Sequence, residues 1–289
     1  MRVANREFRK ICAAIARGRV LRSLSVATMG AIALMFSVTG EKLTQPRVWK
    51  VVNVAMGSIR HFPLGDGRTA HLNTDSELHV SLTPVETDLV LARGEVLIEG
   101  NGDRPINVTA GSATVRTGNA AFSIRTRGLL VAEVLVEDGT IGVGRTGDRL
   151  GGWVESALPF LERSMRLSAG ESVSAGEGGL SGKKTFSAEV LAHKLAWKDG
   201  WLWFSDETLP EALERFNSYN EKQLLLADPA LSHIAIGGRF RPTEPDSFVA
   251  SLKIIFGVRA ATRSERSGNV YLFGACKRSL RRCDTPMVQ

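Results

Sequence analysis

From Ser58 to about Val143 apolar residues recur at every second position in short runs. The runs are Leu78, Val80 and Leu82; Val96 and Ile98; Ile106 and Val108; Ala113 and Val115; Phe122 and Ile124; Val134 and Val136; and Ile141 and Val143. Such alternation buries one face of a strand and wets the other. Its regular spacing predicts an all-β sandwich or barrel-like domain over residues 58–173. Gly- and Asp-rich stretches at 65–67, 100–103 and 138–139 supply the expected turns. The period changes near Trp153, Ala157, Phe160 or Leu161 and Met165, which predicts a short helical insertion near 153–165. Ser174 to Lys184 is rich in Gly and Ser, and 174–196 is expected to be a linker.

A different pattern begins near Trp197. Trp197-Lys-Asp-Gly-Trp-Leu-Trp-Phe204 contains a strand. Thr208-Leu-Pro-Glu211 reads as a helix start, with Thr208 as N-cap and Glu211 at the capping-box position. Leu209, Leu213 and Phe216 then share one helical face. Thr243-Glu-Pro-Asp246 starts a second helix, with Phe248, Leu252 and Ile255 inward and Gly257 as its stop. Strands at 224–226, 234–237, 258–261 and 269–273 complete a repeated β-α-β unit. Residues 197–275 are expected to form a small α/β domain.

The chain opens with 18 uncharged residues, Ser23 to Gly40, behind a basic stretch. A helix of that length spans roughly 27 Å, close to a hydrocarbon core of about 30 Å. The expectation is a basic cytoplasmic tail over 1–22, a transmembrane anchor over 23–40 and a linker over 41–57. A cleaved signal peptide is the rival, disfavoured by the length of the basic region. The positive flank stays inside, so the C-terminal bulk is expected in the periplasm of a bacterium, held single-pass at the inner membrane. The fold class expected is therefore a single transmembrane helix, then an all-β domain, then a small α/β domain.

Charge supports this division. Of the formal net charge of +7, residues 1–23 carry +6, the basic tail 276–289 carries +3, and the middle is left at −2. Positive charge concentrated at two ends makes no groove for nucleic acid, and no helix-turn-helix or zinc-finger spacing is present. Cys12 precedes the anchor. Cys276 and Cys283 follow it and are the candidate disulfide pair, in a small loop whose closure is worth about 2–3 kcal/mol.

Enzyme chemistry finds no foothold. Gly142-Val-Gly-Arg-Thr-Gly147 matches a dinucleotide glycine string, but no strand–turn–helix context surrounds it. His61, His71, His79, His193 and His233 lack metal-ligand spacing, so neither metal nor cofactor is expected. No Gly-x-Ser-x-Gly elbow occurs. Asp66 reads as a turn residue before Gly67 and Glu95 as a strand-edge carboxylate. Trp197, Trp201 and Trp203 read as core or interface, with sugar stacking left open.

One ordered set of short blocks points further. Gly57, Leu64, Asp66, Gly67, Leu72, Asn73 and Ser76 form the first; Gly94, Glu95, Val96 and Ile98 the second. Pro105 to Val108, Gly118 to Ile124, Val136 to Gly139 and Leu167 to Gly170 follow. This order resembles the FecR family of sigma-factor regulators, with Arg68 standing where the family usually has serine. Residues 197–275 resemble the secretin and TonB short N-terminal (STN) domain, with Trp197, Gly200, Phe204, Leu209 and Leu213 in matching places. The resemblance implies a non-enzymatic relay at the inner membrane. Its expected partners are the signalling domain of a TonB-dependent outer-membrane receptor, as in iron-uptake signalling, and an extracytoplasmic-function sigma factor reached through the N-terminal tail. The partner-binding residues it implies are Trp201, Leu209, Leu213 and Phe216. The alternative is a membrane-anchored periplasmic scaffold or binding protein that does not touch a sigma factor.

Overall fold

Thirteen of the strands join in one curled sheet whose two layers enclose the main core. The computed structural model describes residues 48–146, 164–262 and 268–274. One layer holds β1 (Lys50–Asn53), β4 (Glu77–Leu82), β5 (Thr87–Arg93), β7 (Ile106–Ala110), β8 (Ala113–Thr117) and β11 (Met165–Ser168). The other holds β2 (Arg60–Pro63), β3 (Thr69–Leu72), β6 (Glu95–Glu99), β9 (Ala120–Arg127), β12 (Glu171–Gly176) and β13 (Gly179–Thr185). The alternating residues of both layers meet inside: Leu72, Leu78, Val80, Val96, Ile98, Val108, Phe122 and Val134 are buried together. Pairing is antiparallel except between β5 and β7.

The 15-residue β10 (Val131–Arg145) belongs to both layers. Its first part pairs with β9 and β12, its last part with β8 and β11. The crossing falls at a register shift between Val136 and Asp138, followed by Gly139 at φ 81°. An extra residue bends a strand, and glycine accepts the left-handed backbone there without a Cβ clash. Asp138-Gly139, expected as a turn, is thus a corner within one strand.

After β13 come α1 (Ala188–Leu195), a 3-10 turn (Ala196–Asp199), β14 (Leu202–Thr208), α2 (Leu209–Asn217) and β15 (Leu224–Leu226). A second 3-10 turn (Pro229–His233), β16 (Ala235–Phe240), α3 (Pro245–Phe256), β17 (Arg259–Thr262) and β18 (Val270–Phe273) follow. The Thr208 backbone N–H donates to the Glu211 carboxylate at 2.8 Å, closing the capping box of α2. Phe204, Leu209, Leu213, Phe216, Phe248 and Leu252 form this segment's own core. Phe216 and Phe248 stack with centroids 4.4 Å apart.

The expected fold class is corrected. The described residues are 51% strand and 19% helix, dominated by the curled sheet. Among them no helix is long and apolar enough to cross a membrane. The expected anchor at 23–40 lies outside the described residues, as do the tails 1–22 and 276–289. The C-terminal strands do not form one α/β layer. β14 pairs with β16, while β15, β18 and β17 form a separate sheet. Described residues from Val48 on pack as one compact unit.

Smaller expectations change as well. Part of the expected 41–57 linker is β1, paired with β4. The expected Gly/Ser linker is the β12–β13 hairpin followed by α1, because Val173 and Ala175 alternate into the core and its glycines serve the turn. Of the helical insertion near 153–165 only its end is described, and Met165 opens β11. Ile255, expected inward on α3, is 68% exposed; Val249 is buried instead.

Candidate functional site

The functional candidate is the junction where the C-terminal segment seats on the β layers. It is built at two neighbouring corners where the chain passes from one layer to the other. Residues 73–76 connect β3 to β4, and Gly94 connects β5 to β6. The corners interlock through Ser76, which is fully buried. Its Oγ accepts from the Glu95 N–H at 3.0 Å and lies 3.2 Å from the carbonyls of Thr74 and Glu95. The Asn73 N–H also donates to the Glu95 carbonyl at 2.9 Å.

The outer side of these corners receives the end of α2. Tyr219 Oη donates to Asn73 Oδ1 at 2.6 Å, and Asn73 Nδ2 donates to Glu95 Oε2 at 3.0 Å. Ser123 Oγ holds the other Glu95 oxygen at 3.0 Å. Thr74 Oγ1 donates to the Ser218 carbonyl at 3.1 Å and accepts from the Gly57 N–H at 2.8 Å. Every side chain in this row has a partner, as buried polar groups require. Burial, with the Glu95 carboxylate close by, pushes the Tyr219 phenol far above its ordinary range and keeps it a hydrogen donor. Beside it, Arg215 donates to the Trp203 carbonyl at 2.9 Å and lies over Phe204 at 4.7 Å. A cleft of about 690 Å³ opens here, rimmed by Arg93, Arg125, Arg127, Glu133 and Glu214.

Two further contacts bind the segment. Leu191, Leu195 and Trp197 pack on Leu97 and Leu135, residues on the outer face of the β2-containing layer. Lys198 Nζ donates to Glu99 at 2.5 Å and to Glu137 at 3.0 Å. Glu99 also faces His71 Nε2 at 2.8 Å, and His71 meets His61 across β2 and β3 with nitrogens 2.6 Å apart. Burial lowers the His71 pKa, against the opposing pull of Glu99; His61 and Lys198 lower it further and Asp199 raises it. A histidine whose folded pKa lies below its unfolded value of about 6.5 binds protons more weakly when folded, so stability falls as pH drops through that value. His71→Asn is expected to flatten the fall in urea midpoint between pH 7 and 5. An unchanged pH profile would refute this.

The earlier part of the first sequence block makes a separate lock. Arg68 and Asp66 are buried together, Nη1 to Oδ2 at 3.0 Å, and the Arg68 N–H donates to Asp66 Oδ1 at 3.1 Å. Arg68 Nη2 donates to the carbonyls of Arg104 and Gly118, both at 2.5 Å. A Cβ on Gly102 would stand 2.2 Å from the guanidinium carbon, so that glycine makes room for the arginine. Burial lowers the Arg68 pKa, and Asp66 opposes the shift.

The residues expected to bind a partner divide sharply. Leu209, Leu213 and Phe216 are core, the most exposed of them at 4%. Trp201 is half-exposed, with the guanidinium of Arg241 at 3.6 Å from its ring centre and that of Arg239 at 4.1 Å. Trp197 is buried, and His193 stacks on Trp203 at 3.9 Å, so these rings are already engaged. Cys276 and Cys283 lie outside the described residues. Among the described residues no group of His, Cys, Asp and Glu is arranged to hold a metal. Sequence reasoning missed Tyr219, Thr74, Lys198 and the role of Arg68. Tyr219 carried one faint signal: it is one of only two tyrosines and directly follows the predicted α2 face.

Comparison with known proteins agrees with the fold and blocks. Residues 50–142 match the family described as FecR protein. Two crystal structures of a candidate anti-sigma factor from Parabacteroides distasonis share the fold at TM-score 0.57 and 19% identity. The first alignment covers 79% of this chain and 100% of that one; the second covers 78% and 99%. No curated protein matches. The family match ends at residue 142, before the stretch expected to resemble an STN domain.

Proposed function

We propose that this chain is a non-enzymatic regulator of a sigma factor, and that the state of its C-terminal segment is passed to the FecR-type layers through the Asn73–Tyr219 contact. One observation carries the reading. The family-block residues Asn73, Ser76, Gly94 and Glu95 are joined to one another and, through Asn73, to the segment that follows α2. Such a contact suits transmission, because a change at α2 must break or rebuild a buried hydrogen-bonded row. The candidate anti-sigma factor sharing the fold lends the direction toward sigma factors. The finer reading names an extracytoplasmic-function sigma factor, a TonB-dependent outer-membrane receptor as the input, and iron-uptake-like signalling. It rests on the sequence resemblance. Placement of the FecR-type domain on the exported side of the inner membrane rests on the charge asymmetry of residues 1–42. An alkaline phosphatase fusion after residue 289 is expected to be active, and an inactive fusion would remove this placement.

The test of the relay is Tyr219→Phe in the native host, with reporters driven by each of its extracytoplasmic-function sigma factors. Loss of one buried hydrogen bond is expected to cost about 1 kcal/mol, which leaves the protein folded. Reporter response to inducer is expected to fall by at least about fivefold, the lower range of a coupling energy between sites. A normal response in a folded Tyr219→Phe protein would refute transmission through this contact. Indifference of every reporter to deletion of the whole gene would refute sigma-factor regulation.

A further inference from the structure

We infer that the free edge of β16, with the face of the β14–β16 pair beside it, is a docking strip for an extended acidic segment of a partner protein. The inference rests on the reading of the C-terminal segment as the input side and specifies the chemistry of what docks there.

The strip follows from alternation in two short strands. Leu202, Phe204 and Ile236 point into the segment's core, and Phe240 packs against it. Trp203 stands opposite Arg239, and Trp201 and Arg241 continue the same face one step beyond the pairing. This outer face therefore carries two tryptophans and two arginines. Among the described residues β16 pairs only with β14, so its other edge presents unused backbone donors and acceptors. That edge is bare. Ala235, Gly237, Gly238 and Arg239 are exposed, and a Cβ at Gly237 would meet nothing within 4 Å.

The charge beside the edge selects the occupant. Among the described residues no carboxylate comes within ion-pair distance of Arg239 or Arg241. Both guanidinium groups lie against Trp201, and Arg241 also donates to the Gly200 carbonyl at 3.0 Å. They are held in place and, among the described residues, have no carboxylate partner. An added strand supplies main-chain bonds to the edge, while its alternate carboxylates reach the arginines.

The test uses the purified full-length chain and a synthetic eight-residue peptide alternating Glu and Val. Binding is read by tryptophan fluorescence and by calorimetry. The peptide is expected to bind, and Arg239→Glu with Arg241→Glu to weaken it at least tenfold at unchanged melting temperature. The same peptide N-methylated at alternate residues is expected to lose binding to a similar extent. Failure of the peptide to bind would overturn the inference. So would equal binding by the charge-reversed protein, by the N-methylated peptide, or by oligothymidylate of the same charge. Because this assay contains no sigma factor, its failure is distinct from failure of the reporter test.

Discussion

Replacing Arg68 with methionine is expected to cost the fold about 3–5 kcal/mol, the range for breaking a buried ion pair by removing one partner. Methionine fills much of the volume, so packing is not the main loss. The loss lies in Asp66, whose side chain is fully buried and would keep only the N–H of residue 68 at 3.1 Å, Thr87 Oγ1 at 3.5 Å and Arg104 at 4.0 Å. The carbonyls of Arg104 and Gly118 would lose their common donor as well. Urea unfolding of the single variants and of Asp66→Ala/Arg68→Met checks this. The double variant is expected to be more stable than Arg68→Met alone, because the orphaned carboxylate goes with its partner. A loss below about 1 kcal/mol in Arg68→Met would show that the pair is dispensable.

Gly94→Ala is expected to be nearly as costly, and to act at the junction itself. The new Cβ would stand 2.1 Å from Ser76 Oγ and 2.6 Å from Ser76 Cα. The backbone there has φ 89°, which side chains rarely adopt. Overpacking costs about 1–3 kcal/mol, and the conformation adds about 1–2 kcal/mol. The two corners would have to part, which takes Asn73 away from Tyr219. The expected result is a drop of about 2–5 kcal/mol by urea unfolding, with hydrogen exchange rising first at residues 73–76 and 218–219. Ser76→Gly in the same chain is expected to recover only the share due to side-chain crowding. Wild-type stability in Gly94→Ala would refute the close approach of the corners.

These two residues show how far the sequence could be read. Gly94 stands in a motif block, and its need for a bare Cα is the kind of demand such a block reflects. What the glycine avoids is a serine 18 positions earlier, and that was not legible, because two corners meet only when both layers have formed. Arg68 is the opposite case. It stands where the family usually has serine and carried no role in the sequence, yet Gly102, the Arg104 carbonyl and the Gly118 carbonyl are arranged around it. Leu209, Leu213 and Phe216 were legible as one helical face. Whether that face met a core or a partner depended on α3 and β14, which lie across the fold.

By itself the sequence determined β4, β6, β7, β8, β9 and the two ends of β10, the start of α2 and much of the apolar set that fills each core. Those features depend on the period of neighbouring side chains and on local capping. Tertiary structure alone decided that β10 serves two layers, that the 174–196 stretch is sheet and helix, and that Tyr219 closes on Asn73 across 146 positions. Contacts of that range leave no periodic trace, since each is made by single residues brought together only after the layers have curled.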